Sequence, residues 1–246
     1  MAPAGIGDRV EGLHAVVAAL AAGRVASISI EEARLKNEAY AELIRAAKTG
    51  SVPVNVVDDV RPEAVTDAPQ GVIARCSPIT TATLEEAVAA TDPAALLVFD
   101  HVEDPRNLGA AVRSAVAAGF RAIVVPRRRS APLGATAFKA AAGTLEDVAI
   151  VEVGSVPEAL KRIGRLGVWR VGLDAGGEQS LFGLDLLAEP VALVIGAEGA
   201  GLSRLAAERC DVLVSIPHRD SVESLNASVA SALAVFEVAR MRGWVS

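Results

Sequence analysis

The chain has 246 residues, 52% of them hydrophobic but only 3% aromatic, and carries a formal net charge of −6. Such a length buries a real core, in one large domain or two modest ones, with Ala, Val and Leu as its main material. No apolar run approaches the roughly 20 residues of a membrane helix, and the acidic balance argues against holding nucleic acid by bulk positive charge.

In chain order, the opening stretch Met1-Ala-Pro-Ala-Gly-Ile-Gly-Asp8 lacks the charged and apolar regions of a signal peptide. Apolar residues take helical spacing after Gly12 within 10–20, and 25–30 reads as a short strand. An amphipathic helix is predicted over 37–49 and a strand over 53–57, followed by a polar turn at Asp58 and Asp59. Residues 70–75 complete a small αβ unit. Residues 77–83 are rich in turn formers and read as linker, ahead of a helical segment over 84–90. Cys76 and Cys210 have no metal-site spacing and read as reduced thiols, so a soluble cytoplasmic protein is expected.

From residue 94 the rhythm becomes strand, loop, helix. Strands are predicted over 96–100, 122–126, 148–153, 168–173, 191–195 and 212–216. Helices are predicted over 107–119, 157–166, 202–209 and 226–242. This alternation predicts parallel strands with helices on both faces, an α/β fold. The expected organisation is a small α/β domain over 1–78, a linker over 79–93 and a larger α/β domain over 94–246.

Three polar clusters follow apolar strands in the larger domain. They are Asn107 with Arg113, Glu198 inside a glycine-rich turn, and Ser224-Leu225-Asn226 before an alanine-rich helix. Parallel strands place all three at one sheet edge, where open α/β folds bind ligands. A site assembled from distant strand ends points to an enzyme. Gly196, Gly199 and Gly201 permit close backbone approach and positive φ. Their spacing departs from the Gly-x-Gly-x-x-Gly of dinucleotide-binding folds, which disfavours a nicotinamide oxidoreductase. Arg127-Arg128-Arg129 is a compact basic run after a strand, and charge alone leaves open whether it is a ligand contact or a solvated loop. His14, His101 and His218 form no visible ligand set, so no metal is expected.

Asp100-His-Val-Glu-Asp-Pro-Arg-Asn-Leu-Gly-Ala-Ala-Val-Arg-Ser114 resembles the first motif of the SpoU (TrmH-like) RNA ribose methyltransferases of the SPOUT class. Leu193-Val-Ile-Gly-Ala-Glu-Gly-Ala-Gly-Leu-Ser203 resembles their second motif. Ser215-Ile-Pro with Ser224-Leu-Asn-Ala-Ser-Val-Ala-Ser-Ala232 resembles the third, in the expected order and spacing. The stretch beginning Glu11-Gly-Leu-His-Ala-Val is similar to the L30e-like RNA-binding domain attached to many members.

The resemblance implies transfer of a methyl group from S-adenosylmethionine (AdoMet) to a ribose 2′-oxygen of RNA. It also implies a deep trefoil knot in the C-terminal domain and a homodimer. The two-domain layout favours a guanosine of 23S rRNA, the alternatives being transfer RNA or a non-catalytic ribosome-assembly factor. Gly196, Ala197, Gly199, Ile216, Pro217, Leu225 and Ser228 fall where members contact the methyl donor. Arg113 falls on the catalytic arginine, with Asn107, Glu198, Ser224 and Asn226 around it. Glu198 is expected either to orient Arg113 through a bidentate pair or to cap backbone donors. The chain departs from its relatives at His218-Arg219-Asp220-Ser221 and lacks a common serine within 139–144, which bears on substrate choice.

Overall fold

The structure, a computed structural model, describes residues 5–219 and 224–244. Its first elements are β1 (Arg9–Glu11), α1 (Leu13–Ala21), β2 (Val25–Glu31), α2 (Glu38–Thr49), β3 (Val54–Val57) and β4 (Val72–Cys76). There follow α3 (Leu84–Val88), β5 (Ala95–Phe99), α4 (Pro105–Ala117), β6 (Ala122–Pro126), α5 (Ala135–Ala140) and β7 (Ala149–Val153). The last are α6 (Val156–Arg165), β8 (Trp169–Leu173), β9 (Gln179–Ser180), β10 (Val191–Ile195), α7 (Arg204–Ala207), β11 (Val212–Ser215) and α8 (Ala227–Met241).

Two compact units divide the chain: Met1–Thr80 with Pro132–Glu146, and Thr81–Ala131 with Asp147–Ser246. In the first, a four-stranded sheet has the order β1-β4-β2-β3. α2 starts where the Asn37 side chain accepts from the Ala39 N–H at 3.0 Å, satisfying a donor the helix itself leaves free. The segment 132–146 returns to this unit. Phe138 lies fully buried against Gly7, and the close pass of Gly143 over Ala18 leaves no room for a side chain. Arg24 adds a bond from Nε to Glu146 Oε2 at 2.8 Å and stacks over the Phe138 ring at 5.8 Å.

That return changes the expected organisation. Residues 94–246 are not one compact unit, because Ala135, Ala137, Phe138 and Leu145 bury their apolar surface in the first one. Residues 79–93 include the helical segment expected over 84–90. It is α3, started by a capping box in which Thr83 and Glu86 satisfy each other's backbone N–H groups at 2.8 and 3.2 Å.

The second unit is built on a seven-stranded sheet in the order β7-β6-β5-β10-β8-β11-β9. Every recorded pairing in it is parallel. β5, β6 and β10 are buried along their whole length, as continuous apolar runs in a parallel sheet should be. α6 turns Val156, Ala159, Leu160 and Ile163 inward, the helical spacing of a single apolar face, and they join Leu96, Val98, Val124 and Val194 in one core. α4 packs on α8 through small residues, Ala111 and Ala115 on one and Ser231 and Ala234 on the other being buried. Because the strands run in one direction, the ends of β5, β6, β8, β10 and β11 open onto a common edge.

Candidate active site at the carboxyl ends of the strands

The chain leaving β5 meets a buried carboxylate first. Asp100 is fully buried, and its Oδ2 accepts from the Ser203 N–H at 2.7 Å. Its Oδ1 lies 2.8 Å from His101 Nδ1, and His101 holds a left-handed φ of 60°. Asp100 therefore ties the loop after β5 to the turn after β10. α4 then begins at an Asp-Pro pair, Asp104 accepting from the Arg106 N–H at 2.8 Å and Pro105 occupying a position that has no helical bond to lose.

The glycine-rich turn after β10 folds back on itself. Ala197 and Gly201 exchange backbone hydrogen bonds of 3.0 and 2.9 Å. Gly196 faces the crossing directly: a Cβ there would stand 2.1 Å from the Gly201 carbonyl carbon. Gly199 and Gly201 take positive φ of 75° and 67°, which glycine adopts without steric cost. The turn presents Glu198 at its tip.

Glu198 joins the three sequence clusters. Its Oε2 accepts from Asn107 Nδ2 at 3.0 Å, and its Oε1 accepts from Asn226 Nδ2 at 3.4 Å. Asn226 Nδ2 also donates to Asn107 Oδ1 at 3.0 Å. Asn226 Oδ1 in turn caps α8, accepting from the Ser228 N–H at 2.9 Å and its hydroxyl at 2.6 Å. Asn226 is thus both helix cap and network member. Glu198 does not pair with Arg113, one of the two roles expected of it, because both oxygens face amide donors from α4 and from the start of α8. Arg113 is exposed on α4 and makes no ion pair among the described residues.

Two clefts flank this network. The first is lined by Leu173, Ile195, Val214, Ile216 and Leu225 on apolar sides, with Asp174, Glu198 and the 196–201 turn. The second is lined by His101, Val102, Glu103, Asp104 and Asn107. Ala197, Glu198 and Ala227 belong to both, so the clefts share a wall.

Of the expected donor-site residues, Gly196, Ala197, Gly199, Ile216 and Leu225 line the first cleft, as does Ser224 from the catalytic set. Pro217 is exposed and outside that lining, and Ser228 serves Asn226 instead. His218 reaches the lining, whereas Asp220 and Ser221 of the divergent loop lie outside the described residues. Sequence reasoning missed two carboxylates. Asp174 follows β8, lines the cleft, and holds its own loop through the Gly176 N–H at 2.8 Å. Asp100 is the other, and both carry the same signal: a carboxylate directly after an apolar strand.

Open α/β sheets bind ligands outside such strand ends, and fold and site together define the class, a parallel α/β protein with a candidate ligand-binding edge. Residues 94–236 match the SpoU rRNA methylase family, and residues 9–82 match the substrate-binding domain of RNA 2′-O-ribose methyltransferases. The chain belongs to the SpoU rRNA methylase family. It is 40% identical over 242 residues to the 23S rRNA (guanosine-2′-O-)-methyltransferase RlmB of Ralstonia nicotianae, covering 95% of this chain and 96% of the relative. The RlmB of Escherichia coli K12 is 37% identical, with 96% and 99% covered. Among solved structures, the SpoU methyltransferase AviRb of Streptomyces viridochromogenes in complex with AdoMet superposes with a TM-score of 0.79. It is 26% identical, with 96% of this chain and 91% of that one covered.

Proposed function

We propose that the chain transfers a methyl group from AdoMet to the ribose 2′-hydroxyl of a guanosine in 23S rRNA. The observation that supports this is the wall shared by the two clefts: on this reading one takes the donor and the other the acceptor, on either side of Glu198. The full-length likeness to two RlmB enzymes supports the guanosine of 23S rRNA.

The first cleft fits the donor. Leu173, Ile195, Ile216 and Leu225 offer flat apolar contact to an adenine, and Gly196 brings backbone rather than side chain to its edge. The carboxylates of Asp174 and Glu198 complement the donor's positive charge. When bound, AdoMet supplies an electrophilic methyl group on its sulfonium sulfur.

The remaining chemistry belongs to the chain. Asn107 and Asn226, locked to Glu198, fix the loops on which the ribose rests. Ser224 lines the donor cleft, and on this reading its hydroxyl hydrogen-bonds the ribose. Arg113 stabilises the developing alkoxide with its forked donors while the hydroxyl proton leaves to a neighbouring phosphate or water. A guanidinium group holds its proton firmly at neutral pH, so an arginine is unsuited to be the base.

Homodimerisation belongs to the same reading. α8 exposes Val229, Leu233 and Phe236, 47%, 38% and 43% accessible, in one stripe at helical spacing. The knotted path is supported by β10 lying between β5 and β8, with α8 packed back on α4. Both cysteines are free, which suits a reducing cytoplasm, and no helix among the described residues is long and apolar enough to cross a membrane.

Labelled methyl transfer to unmodified 23S rRNA, with transfer RNA in parallel and ribose-methylation mapping of the product, tests the assignment. A single 2′-O-methylguanosine in 23S rRNA is expected. Label on transfer RNA alone would change the substrate. RNA binding with neither donor binding nor label would leave an assembly factor. Arg113→Ala should abolish transfer while AdoMet affinity stays within twofold.

A further inference from the structure

The arginine run after β6 is not used by the chemistry above, yet its position is fixed at the edge that carries the site. Arg127, Arg128 and Arg129 are all exposed, and none makes an ion pair among the described residues. The loop is held at both ends. The Arg127 N–H donates to the Val153 carbonyl at 2.9 Å, and the Ala131 N–H donates to the Val102 carbonyl at 2.8 Å. Ser130 Oγ reaches the same Val102 carbonyl at 3.5 Å. Val102 lines the second cleft beside Asn107, so the loop is anchored to the wall of that cleft. Arg129 is held in a left-handed conformation with φ of 56°.

Strand order sets the spacing. Along the edge run β6, β5 and β10, bearing the arginines, Asn107 and Glu198 respectively. Neighbouring strands lie about 4.8 Å apart, which puts the arginine loop about 10 Å from the turn that carries Glu198. The donor cleft lies on the opposite side, toward β8 and β11. A chain of phosphates leaving a nucleotide bound beside Asn107 would meet three unneutralised guanidinium groups within one or two residues. On the far side, Glu152 and Glu158 line a cleft with Arg127, and Arg162 is already neutralised by Glu85 at 3.1 Å. Those carboxylates bound the positive track.

We infer that Arg127, Arg128 and Arg129 bind the backbone phosphates of the RNA strand flanking the methylated nucleotide. This rests on the RNA methyltransferase reading and extends it, giving a protein of net charge −6 a local phosphate-binding surface. Its contacts are to backbone, so they add affinity and register without base discrimination.

The test compares wild type, an Arg127→Gln/Arg128→Gln/Arg129→Gln variant and the matching triple-Lys variant, each binding in-vitro-transcribed 23S rRNA over a salt series. With about 0.7 counterions released per phosphate of a single strand, losing three contacts lowers the log–log salt slope by about 2 and weakens binding at 0.1 M salt on the order of 100-fold. The triple-Gln protein should show that loss, with a matching rise in the RNA KM. Its kcat at saturating RNA, AdoMet affinity and Tm should stay at wild-type values, and the triple-Lys protein should keep the wild-type slope. An unchanged RNA Kd and slope in the triple-Gln variant would overturn the inference, as would equal losses in the Gln and Lys variants. Absence of methyl transfer by wild type, with the slope change intact, would instead remove the catalytic reading and leave the phosphate track standing.

Discussion

Glu198 shows how much of the site depends on one acceptor. Each of its oxygens faces an amide nitrogen, from Asn107 and from Asn226, so Glu198→Gln sets donor against donor at one of the two. The near-isosteric change should lower methyl transfer at least tenfold. Because the group is exposed, unfolding free energy should shift by less than about 1 kcal/mol; parallel turnover and urea-denaturation measurements would show whether the two separate. Gly196 sets a harder limit. A Cβ 2.1 Å from the Gly201 carbonyl carbon meets backbone, which cannot swing aside. Gly196→Ala should therefore open the turn and abolish AdoMet binding in a calorimetric titration, whereas Gly199→Ala, with nothing within 4 Å of the added methyl, should bind with only the cost of a strained φ. The motif residues could be read from sequence because each follows an apolar strand. Their mutual bonding could not, since Asn226 and Asn107 stand 119 residues apart. Asp100 carries that strand-end signal too, but its bond to the Ser203 N–H, 103 residues further on, could not be read either.

At the scale of elements, α8 is fastened at its far end by groups remote from the chemistry. Arg242 donates to the carbonyls of Pro93, Leu187 and Ala94 at 2.8, 3.0 and 3.1 Å, also reaches that of Glu189, and stacks on Trp244. Burial lowers its guanidinium to about 10, still charged at neutral pH. One turn earlier, Glu237 is buried beneath Arg240. The hydrogen bond from Arg240 holds its carboxyl below the ordinary 4.5, against the opposing effect of burial and with help from the Gly183 N–H. A depressed carboxyl stabilises the fold above its unfolded value and loses that contribution as pH falls through the folded value. Wild type should therefore exceed Glu237→Gln in stability at pH 7, and the gap should close progressively below pH 4.5 in urea titrations. Long apolar strands and α8 itself were legible in the sequence, because period and length agree there. β1, β9 and α5 were not. They span three, two and six residues, too short for either periodicity to register, and they exist only because neighbouring elements complete their hydrogen bonds or cover their apolar side.

For the molecule as a whole, the apolar stripe on α8 has a direct test. Phe236→Glu places a charge at one end of the stripe formed by Val229, Leu233 and Phe236, and sedimentation should show a dimer for wild type and a monomer for the variant. The partition of the chain has a different consequence. The boundary between the units is crossed at Thr80, at Ala131 and again at Glu146, so no single break in the polypeptide yields two finished bodies. A gene fusion that supplied a foreign leader in place of residues 1–80 would strip the bed from Phe138 and Leu145, both buried there now. The grafted product would have to redesign residues 132–146 at the same time.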